Sequence, residues 1–154
     1  MAPAISDLTG RTAVVTGASA GIGAAAAREL AARGATVVVV GRSPEKTAAV
    51  AEDLGSLSVV ADFAVLDDVR RLATQLLEMC PRIDVLAHNA GAMNQERITT
   101  VDGHEKTIQT NYLAPFLLQK LLQDRLSQSH TRVIVTSSVG HWIGRIRLDR
   151  KSVV

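Results

Sequence analysis

The stretch VVTGASAGIGAA, residues 14–25, joins an apolar β-branched run to an alanine-rich run and contains three glycines. Gly17 permits a tight turn, Gly21 lets the backbone approach a pyrophosphate, and Gly23 allows a helix to pack closely on a strand. Free N–H groups at the start of such a helix attract phosphate. The stretch therefore predicts a strand, a phosphate-binding turn and a helix, in that order.

Four further runs have the same apolar, β-branched character as the first. Such runs are continuously apolar rather than alternating, which is typical of parallel strands covered on both faces. The five predicted strands are TAVVT (12–16), TVVVV (36–40), LSVV (57–60), IDVLAH (83–88) and RVIVTS (132–137).

The segments between the first four strands have helical patterns. The first helix ends at Gly34, a typical helix C-terminal residue. The second opens with Ser43 as N-cap and Pro44 at its first position, and it closes at Gly55. The third has an apolar face with spacings of three and four residues. That face consists of Val69, Leu72, Ala73, Leu76, Leu77 and Cys80.

A fourth helix is predicted from Asp102 to Leu126. Asp102 and Glu105 resemble a capping box at its start, and Pro115 is expected to kink it near the middle. Alternation of strand and helix with long connections implies right-handed crossovers. We therefore expect one domain over residues 1–154: an α/β doubly wound parallel sheet, or Rossmann fold, of about five strands. The fifth strand would be an exposed edge, and the fold would be incomplete at its C-terminus.

Composition narrows the class of protein. A chain of 154 residues with 47% apolar content can bury one sizeable core. The 17 basic and 15 acidic residues are spread along the chain without a basic block, which argues against a nucleic-acid partner. The single cysteine, Cys80, is expected to be a buried helix residue and fits a reducing compartment. No signal-peptide pattern or long apolar run is present, so we expect a soluble cytoplasmic protein without a membrane span.

Four ordered motifs resemble the short-chain dehydrogenase/reductase family. Residues 16–23 match its TGxxxGIG motif letter for letter, and HNAG (88–91) is similar to its NNAG motif, with His88 in place of the first asparagine. Asn111, in TNYLAPFLL, matches the family's helix asparagine, and Ser138, in VTSS, matches its catalytic serine. The resemblance covers essentially the whole chain.

The resemblance implies a nicotinamide dinucleotide cofactor and the residues that would bind it. At the end of the second strand, Gly41 and Arg42 stand where an NAD enzyme would carry a carboxylate, and no acid occurs before Glu45. An arginine there accommodates a 2′-phosphate, so NADP is favoured over NAD, although a solvated surface arginine is the alternative. The predicted cofactor-binding residues are Thr16, Gly17, Ser19, Gly21, Ile22, Gly23, Arg42, Asp62, Asn89, Ala90 and Gly91. For Asp62 a turn at a strand end, and for Gly91 a plain turn, are the structural alternatives.

The same resemblance implies hydride transfer between the nicotinamide and an alcohol or carbonyl. Ser138 would hydrogen-bond the substrate oxygen, and Asn111 would hold a water in the proton path; a structural amide bonded to backbone is the alternative for Asn111. The family's proton donor is a tyrosine followed four residues later by lysine. The only tyrosine here, Tyr112, precedes Ser138. We therefore expect the N-terminal part of a reductase, with little or no activity in the isolated chain.

Two further expectations concern substrate and partners. SSVGHWIGRIRLD, residues 137–149, resembles the retinol-dehydrogenase-like branch, which implies a lipophilic alcohol or carbonyl substrate; His141 is there a cleft or structural residue. Family members often dimerise through the fourth helix, so a homo-oligomer is expected. No residues have metal-ligand spacing. The alternative is a non-catalytic dinucleotide-binding or partner-binding module that uses the fifth strand and fourth helix as its partner surface.

Overall fold

Five parallel strands form one sheet in the order β3-β2-β1-β4-β5. The computed structural model of the protein describes residues 7–138. Register is continuous across the sheet, with Val14 opposite Val38 on one side and Leu86 on the other. The strands are β1 (Thr12–Thr16), β2 (Thr36–Gly41), β3 (Leu57–Val60), β4 (Val85–His88) and β5 (Arg132–Val135).

Helices cover both faces of this sheet. They are α1 (Gly21–Ala32), α2 (Pro44–Asp53), α3 (Leu66–Met79), α4 (Lys106–Ile108), α5 (Ala114–Leu121) and α6 (Gln123–Ser129). A π-helical segment, Gln109–Leu113, joins α4 to α5. The order of elements and the parallel strands confirm the predicted doubly wound fold.

Neighbouring residues of one strand belong to two separate apolar cores because side chains alternate across a sheet. Val14 packs in the core that includes α3 and α5, whereas Val15 packs in the core that includes α1 and α2. On α3 the predicted face is buried except for Leu77, which is 37% exposed. Cys80 is 2% exposed and follows the last residue of α3. All four residues of β5 are exposed, so the predicted edge strand is confirmed among the described residues.

The predicted ends of α2 are confirmed. Ser43 is its N-cap and accepts a hydrogen bond from the Lys46 amide (3.4 Å), with Pro44 as the first helical residue. Gly55 follows the C-cap with a φ of 57°. β4 begins at Val85 rather than residue 83, and β5 ends at Val135 rather than residue 137.

The predicted capping box at Asp102 is wrong, because the helix begins at Lys106. The Glu105 carboxylate caps it, accepting from the Thr107 amide (2.8 Å) and the Ile108 amide (2.9 Å). Asp102 instead accepts from the Leu66 amide (2.9 Å), at the start of α3. The N-cap of α3 is Val65, which has no polar side chain, so a residue distant in sequence satisfies this free amide.

The predicted kinked helix to Leu126 is divided into α4, the π-helical segment, α5 and α6. Pro115 has no N–H to donate to the carbonyl of Asn111, four residues earlier, so the α-helical pattern cannot run through it. The Ala114 amide donates to the Gln109 carbonyl, five residues back, and a π-helical turn results immediately before the proline. The disruption is thus a widened turn that contains Asn111.

We expect His130→Gly to stabilise the protein by about 1 kcal/mol, because exposed His130 ends α6 in the left-handed conformation with a φ of 51°. The midpoint of urea unfolding measures this change. His104→Gly is the matched control; His104 is also exposed but has no positive φ, so this change should not stabilise the fold. Equal or lower stability of the His130 variant would contradict the assignment.

Candidate functional site

The glycine turn after β1 is in backbone contact with the loop after β4. Gly17 has a φ of 68°, and a Cβ added to it would lie 2.7 Å from the Cα atom of Ala90. A Cβ at Gly23 would lie 2.3 Å from the Gly17 carbonyl oxygen and 2.5 Å from Asn89 Nδ2. Neither position has room for a side chain, so glycine is what lets α1 start directly above these strand ends.

Thr16 holds the ends of two strands together from a fully buried position. Its Oγ1 donates to the Ala87 carbonyl (3.1 Å) and accepts from the amides of Asn89 and Ala90 (3.0 Å each). Asn89 Nδ2 donates to the Thr16 carbonyl (3.1 Å), and Thr136 Oγ1 donates to Asn89 Oδ1 (3.1 Å). Thr16 and Asn89 therefore fix the carboxyl ends of β1, β4 and β5 in one network.

A crevice of about 310 Å³ opens beyond these strand ends. It lies where the chain order of the sheet reverses between β1 and β4, the usual ligand position in such sheets. Six of the predicted cofactor-binding residues line it together: Gly17, Ser19, Arg42, Asp62, Ala90 and Gly91.

Three other predicted cofactor-binding residues occupy the start of α1 and do not line this crevice. Gly21 is exposed with a φ of 56°, and Gly23 is buried against Gly17. Ile22 is 75% exposed and borders a different groove, on the side of the sheet where α1 packs. Their cofactor contacts remain predictions.

Sequence reasoning missed five polar residues that line the crevice: Ser43, Lys46, Asn94, Lys106 and Thr110. Lys46 carried a usable signal, because it lies four residues after Arg42 and within the first turn of a helix with a recognised N-cap. Lys106 and Asn94 carried none, since they come from the long segment after β4.

The absence of an acid at the end of β2 has a structural cause. A Cβ at Gly41 would lie 2.3 Å from Thr47 Oγ1 and 2.8 Å from the Cβ atom of Ser19. Thr47 is fully buried and donates to the Ser43 carbonyl (2.6 Å), so it cannot move away easily. A carboxylate at this position would require the crevice wall to shift.

Asp62 and Asn111 both make the backbone contacts considered as their structural alternatives. Asp62 Oδ1 accepts from the Ala64 amide (2.9 Å), forming a turn at the end of β3, while the residue still lines the crevice. Asn111 makes two hydrogen bonds of 2.8 Å to Ala92, accepting from its amide and donating to its carbonyl. The π-helical turn thus fixes the loop that lines the crevice at Gly91 and Ala92.

Ser138 follows β5 at the same edge of the sheet. Two residues before it, the Thr136 amide donates to the His88 carbonyl (3.0 Å) and continues the pairing of β5 with β4. Its catalytic role, like that of Asn111, remains a prediction. His141 lies outside the described residues.

His88 is buried, with 6% exposure, at the end of β4. Within residues 7–138 neither ring nitrogen has a hydrogen-bond partner. Burial lowers the pKa of His88; the Gln119 side chain acts in the opposite direction but does not reach hydrogen-bond geometry. The imidazole is therefore held in its neutral form at neutral pH.

Residues 7–138 contain neither a metal-binding cluster nor a membrane-spanning helix. No cluster of three or more His, Cys, Asp or Glu side chains there is arranged to hold a metal ion. None of the helices in that part of the chain combines the length and apolar character needed to cross a bilayer.

The family model for short chain dehydrogenases matches residues 11–147, and the chain belongs to that family. A Streptomyces sp. (strain C5) protein named as the daunorubicin C-13 ketoreductase DnrU is 47% identical over 92% of the chain and 51% of its own length. Human dehydrogenase/reductase SDR family member 13 is 44% identical over 96% of the chain and 41% of its own length. Human retinol dehydrogenase 13 is 37% identical over 96% of the chain and 47% of its own length. These relatives support the retinol-dehydrogenase-like branch, and the chain spans about half their length.

Solved structures agree with this family. The oxidoreductase yciK from E. coli superposes with a TM-score of 0.78 at 31% identity, covering 90% of this chain and 62% of the other. A short chain dehydrogenase from Shigella flexneri complexed with NADP superposes with a TM-score of 0.78 at 31% identity. The match covers 90% of this chain and 64% of the other.

We expect Gly23→Ala to destabilise the protein by about 2 kcal/mol, which is the upper end of the overpacking cost less the gain in helix propensity. Alanine favours a helix by roughly 1 kcal/mol over glycine, but overpacking costs about 1–3 kcal/mol, and here the new methyl group would meet backbone rather than a flexible side chain. Chemical denaturation measures the difference. The matched control is Gly55→Ala, where φ is 57° but no atom lies within 4 Å, so only conformational strain of about 1 kcal/mol is added. A Gly23 variant as stable as the wild type would refute the close contact.

His88 should make stability fall as the pH drops below about 6.5. Its folded-state pKa is below the unfolded value, so the unfolded chain binds the additional proton first and gains free energy on acidification. His88→Asn removes this titration, and its free energy of unfolding should change less between pH 7 and pH 5. Denaturant titrations at several pH values test this. Parallel pH profiles for both proteins would show that His88 is not responsible.

Proposed function

We propose that the chain forms the NADP-binding part of a reductase that transfers hydride between NADP(H) and an alcohol or carbonyl substrate. The single observation that carries this proposal is the crevice in which the glycine turn, Ser19, Arg42 and Asp62 meet. Phosphate-binding backbone and a cation are the groups that the phosphates of a dinucleotide require in this kind of sheet, and the Asp62 carboxylate would accept a hydrogen bond from the adenine amino group.

The residues present fit this cofactor in charge as well as in shape. The free amides of the first turn of α1 follow Gly21, and no acidic side chain occurs in that turn to compete with a pyrophosphate. The crowded position at Gly41 disfavours the carboxylate that would bind an unphosphorylated ribose. The NADP complex of a structural neighbour supports the same choice. When bound, the cofactor supplies or accepts hydride.

For the substrate we propose a lipophilic alcohol or ketone. The relatives named for retinol and for daunorubicin C-13 ketoreduction support that class. Ser138 would donate a hydrogen bond to the substrate oxygen at the carboxyl end of β5. Asn111 would hold the Ala92 loop in place beside it, through the two hydrogen bonds that it makes there.

We also propose that the protein forms a homo-oligomer through the face of the π-helical segment and α5. Tyr112 and Phe116 stack there with ring centroids 6.2 Å apart, and their exposures are 64% and 62%. A second copy packed on this face would remove two large rings from water.

NADPH should bind at least about tenfold more tightly than NADH, and Arg42→Asp should reverse this order, because a carboxylate repels the 2′-phosphate and accepts from a free ribose hydroxyl. Titration calorimetry of each cofactor measures both affinities. Arg70→Asp, on α3 outside the crevice, makes the same change in net charge and should leave the preference unchanged. Equal affinities in the wild type would defeat the case for NADP.

A further inference from the structure

The strand β5 forms an edge of the sheet that lacks the usual protection. Among residues 7–138 it pairs only with β4, and its apolar side chains are exposed: Val133 by 37%, Ile134 by 47% and Val135 by 67%. Edge strands of soluble proteins are commonly interrupted by proline, lysine or a bulge. Residues 133–136 contain neither proline nor a charge, so this edge can accept another strand.

The backbone groups that point outward from this edge belong to Val133 and Val135. The amides of Arg132 and Thr136 donate to carbonyls of the neighbouring segment that contains β4 (2.9 and 3.0 Å). Because successive residues of a strand direct their backbone groups to opposite sides, Val133 and Val135 direct theirs away from β4. Each of the two residues offers one N–H and one C=O to a further strand.

These outward groups match those of a second copy in one antiparallel register. With a two-fold axis at Ile134, Val133 of one copy lies opposite Val135 of the other, and the two residues exchange hydrogen bonds. Arg132 then lies opposite Thr136. A parallel pairing in register would instead place the Arg132 side chains of both copies beside each other, which is unfavourable. The charge at the start of β5 therefore favours the antiparallel pairing.

Both faces of this pairing are apolar. Val133 lines a groove of about 550 Å³ beside α5 and α6, and Ile134 lines a groove of about 710 Å³ beside α1. On the first face Val133 would pack against Val135 of the other copy, and on the second face the two Ile134 side chains would meet at the axis. Such β-branched cross-strand pairs stabilise a sheet.

A strand of four residues is too short to hold two copies together alone, because a specific interface buries about 1,200–2,000 Å² in total. The proposed oligomer face supplies further area. Phe116 lines the same groove as Val133, and Tyr112 stacks on Phe116. A two-fold axis perpendicular to the sheet keeps this face of both copies on one side, so the aromatic pairs face each other across a shared groove.

We propose that a second copy of this chain pairs with β5 in the antiparallel direction about Ile134, so that the two sheets become one continuous sheet. The interface is isologous and closed, because each copy covers the β5 edge of the other. This inference goes beyond nucleotide binding, and it rests on the proposed homo-oligomer only for the additional area at α5.

Val135→Pro tests the pairing, because it removes an outward N–H and leaves the hydrogen bonds between β5 and β4 in place. Sedimentation equilibrium of the full chain should show a wild-type dimer and a dissociation constant at least about tenfold higher in the variant. Val60→Pro is the matched control. Val60 ends β3 at the opposite edge and is 47% exposed; its amide also points outward, since the next amide, of Ala61, bonds to β2 (3.0 Å). This control should remain dimeric.

Charges at the axis give a second test that does not involve proline. Ile134 is exposed, so Ile134→Lys and Ile134→Glu should each fold but separate the dimer, because like charges would lie opposite each other. A mixture of the two variants should form a heterodimer, which native mass spectrometry detects. This test decides the matter if circular dichroism shows that Val135→Pro is unfolded.

The outcomes separate this inference from the proposals above. A monomeric wild type would overturn both the pairing and the homo-oligomer, and would leave the proposed nucleotide binding untouched. A dimer that survives Val135→Pro would overturn the β5 pairing alone and assign the interface to the α5 face. Equal weakening by both proline variants, charged variants that do not combine, or growth beyond a dimer would also overturn it.

Discussion

The close packing of α1 on the ends of β1 and β4 is the constraint on which the rest of the structure depends. It requires Gly23 to lie against the Gly17 carbonyl and the Asn89 amide, with no side chain between them. The Thr16 hydroxyl then ties the same backbone segments together by three hydrogen bonds. Because the start of α1 is fixed relative to both strands, its first turn is held beside the switch point, where we propose that the phosphates bind.

Most of the fold could be predicted because its signals are local. Each strand is a short apolar run, and α2 begins and ends at residue types that are typical of helix caps. The region between β4 and α5 could not be predicted, because its interactions are long-range. Asp102 accepts a hydrogen bond from the Leu66 amide. Gln109 is fully buried; it donates to Asp102 (2.7 Å) and accepts from the Thr100 hydroxyl (2.6 Å). Spacing along the chain contains no information about such partners.

The residues of the candidate site also differ in whether their sequence signals are local or long-range. The glycine turn and Arg42 were predicted as site residues because each lies within a few residues of a strand end. Lys46 was missed although it lies in the first turn of a helix whose N-cap was recognised. Its place in the crevice depends also on the packing of α2 beside the glycine turn, where Gly41 lies against Ser19 and Thr47. For Asn111 the sequence motif indicated the position, but the bonds to the Ala92 backbone became visible only once the π-helical turn was in place.

These contacts join the two ends of the crevice through the fold. Gln109 links the π-helical segment to Asp102 and approaches the Phe63 carbonyl (3.5 Å), beside Asp62. Two residues later, Asn111 holds Ala92, which also lines the crevice. The widened turn before Pro115 therefore has a consequence beyond helix geometry: it gives Gln109 and Asn111 the positions from which they contact Phe63 and Ala92, two residues that line the crevice.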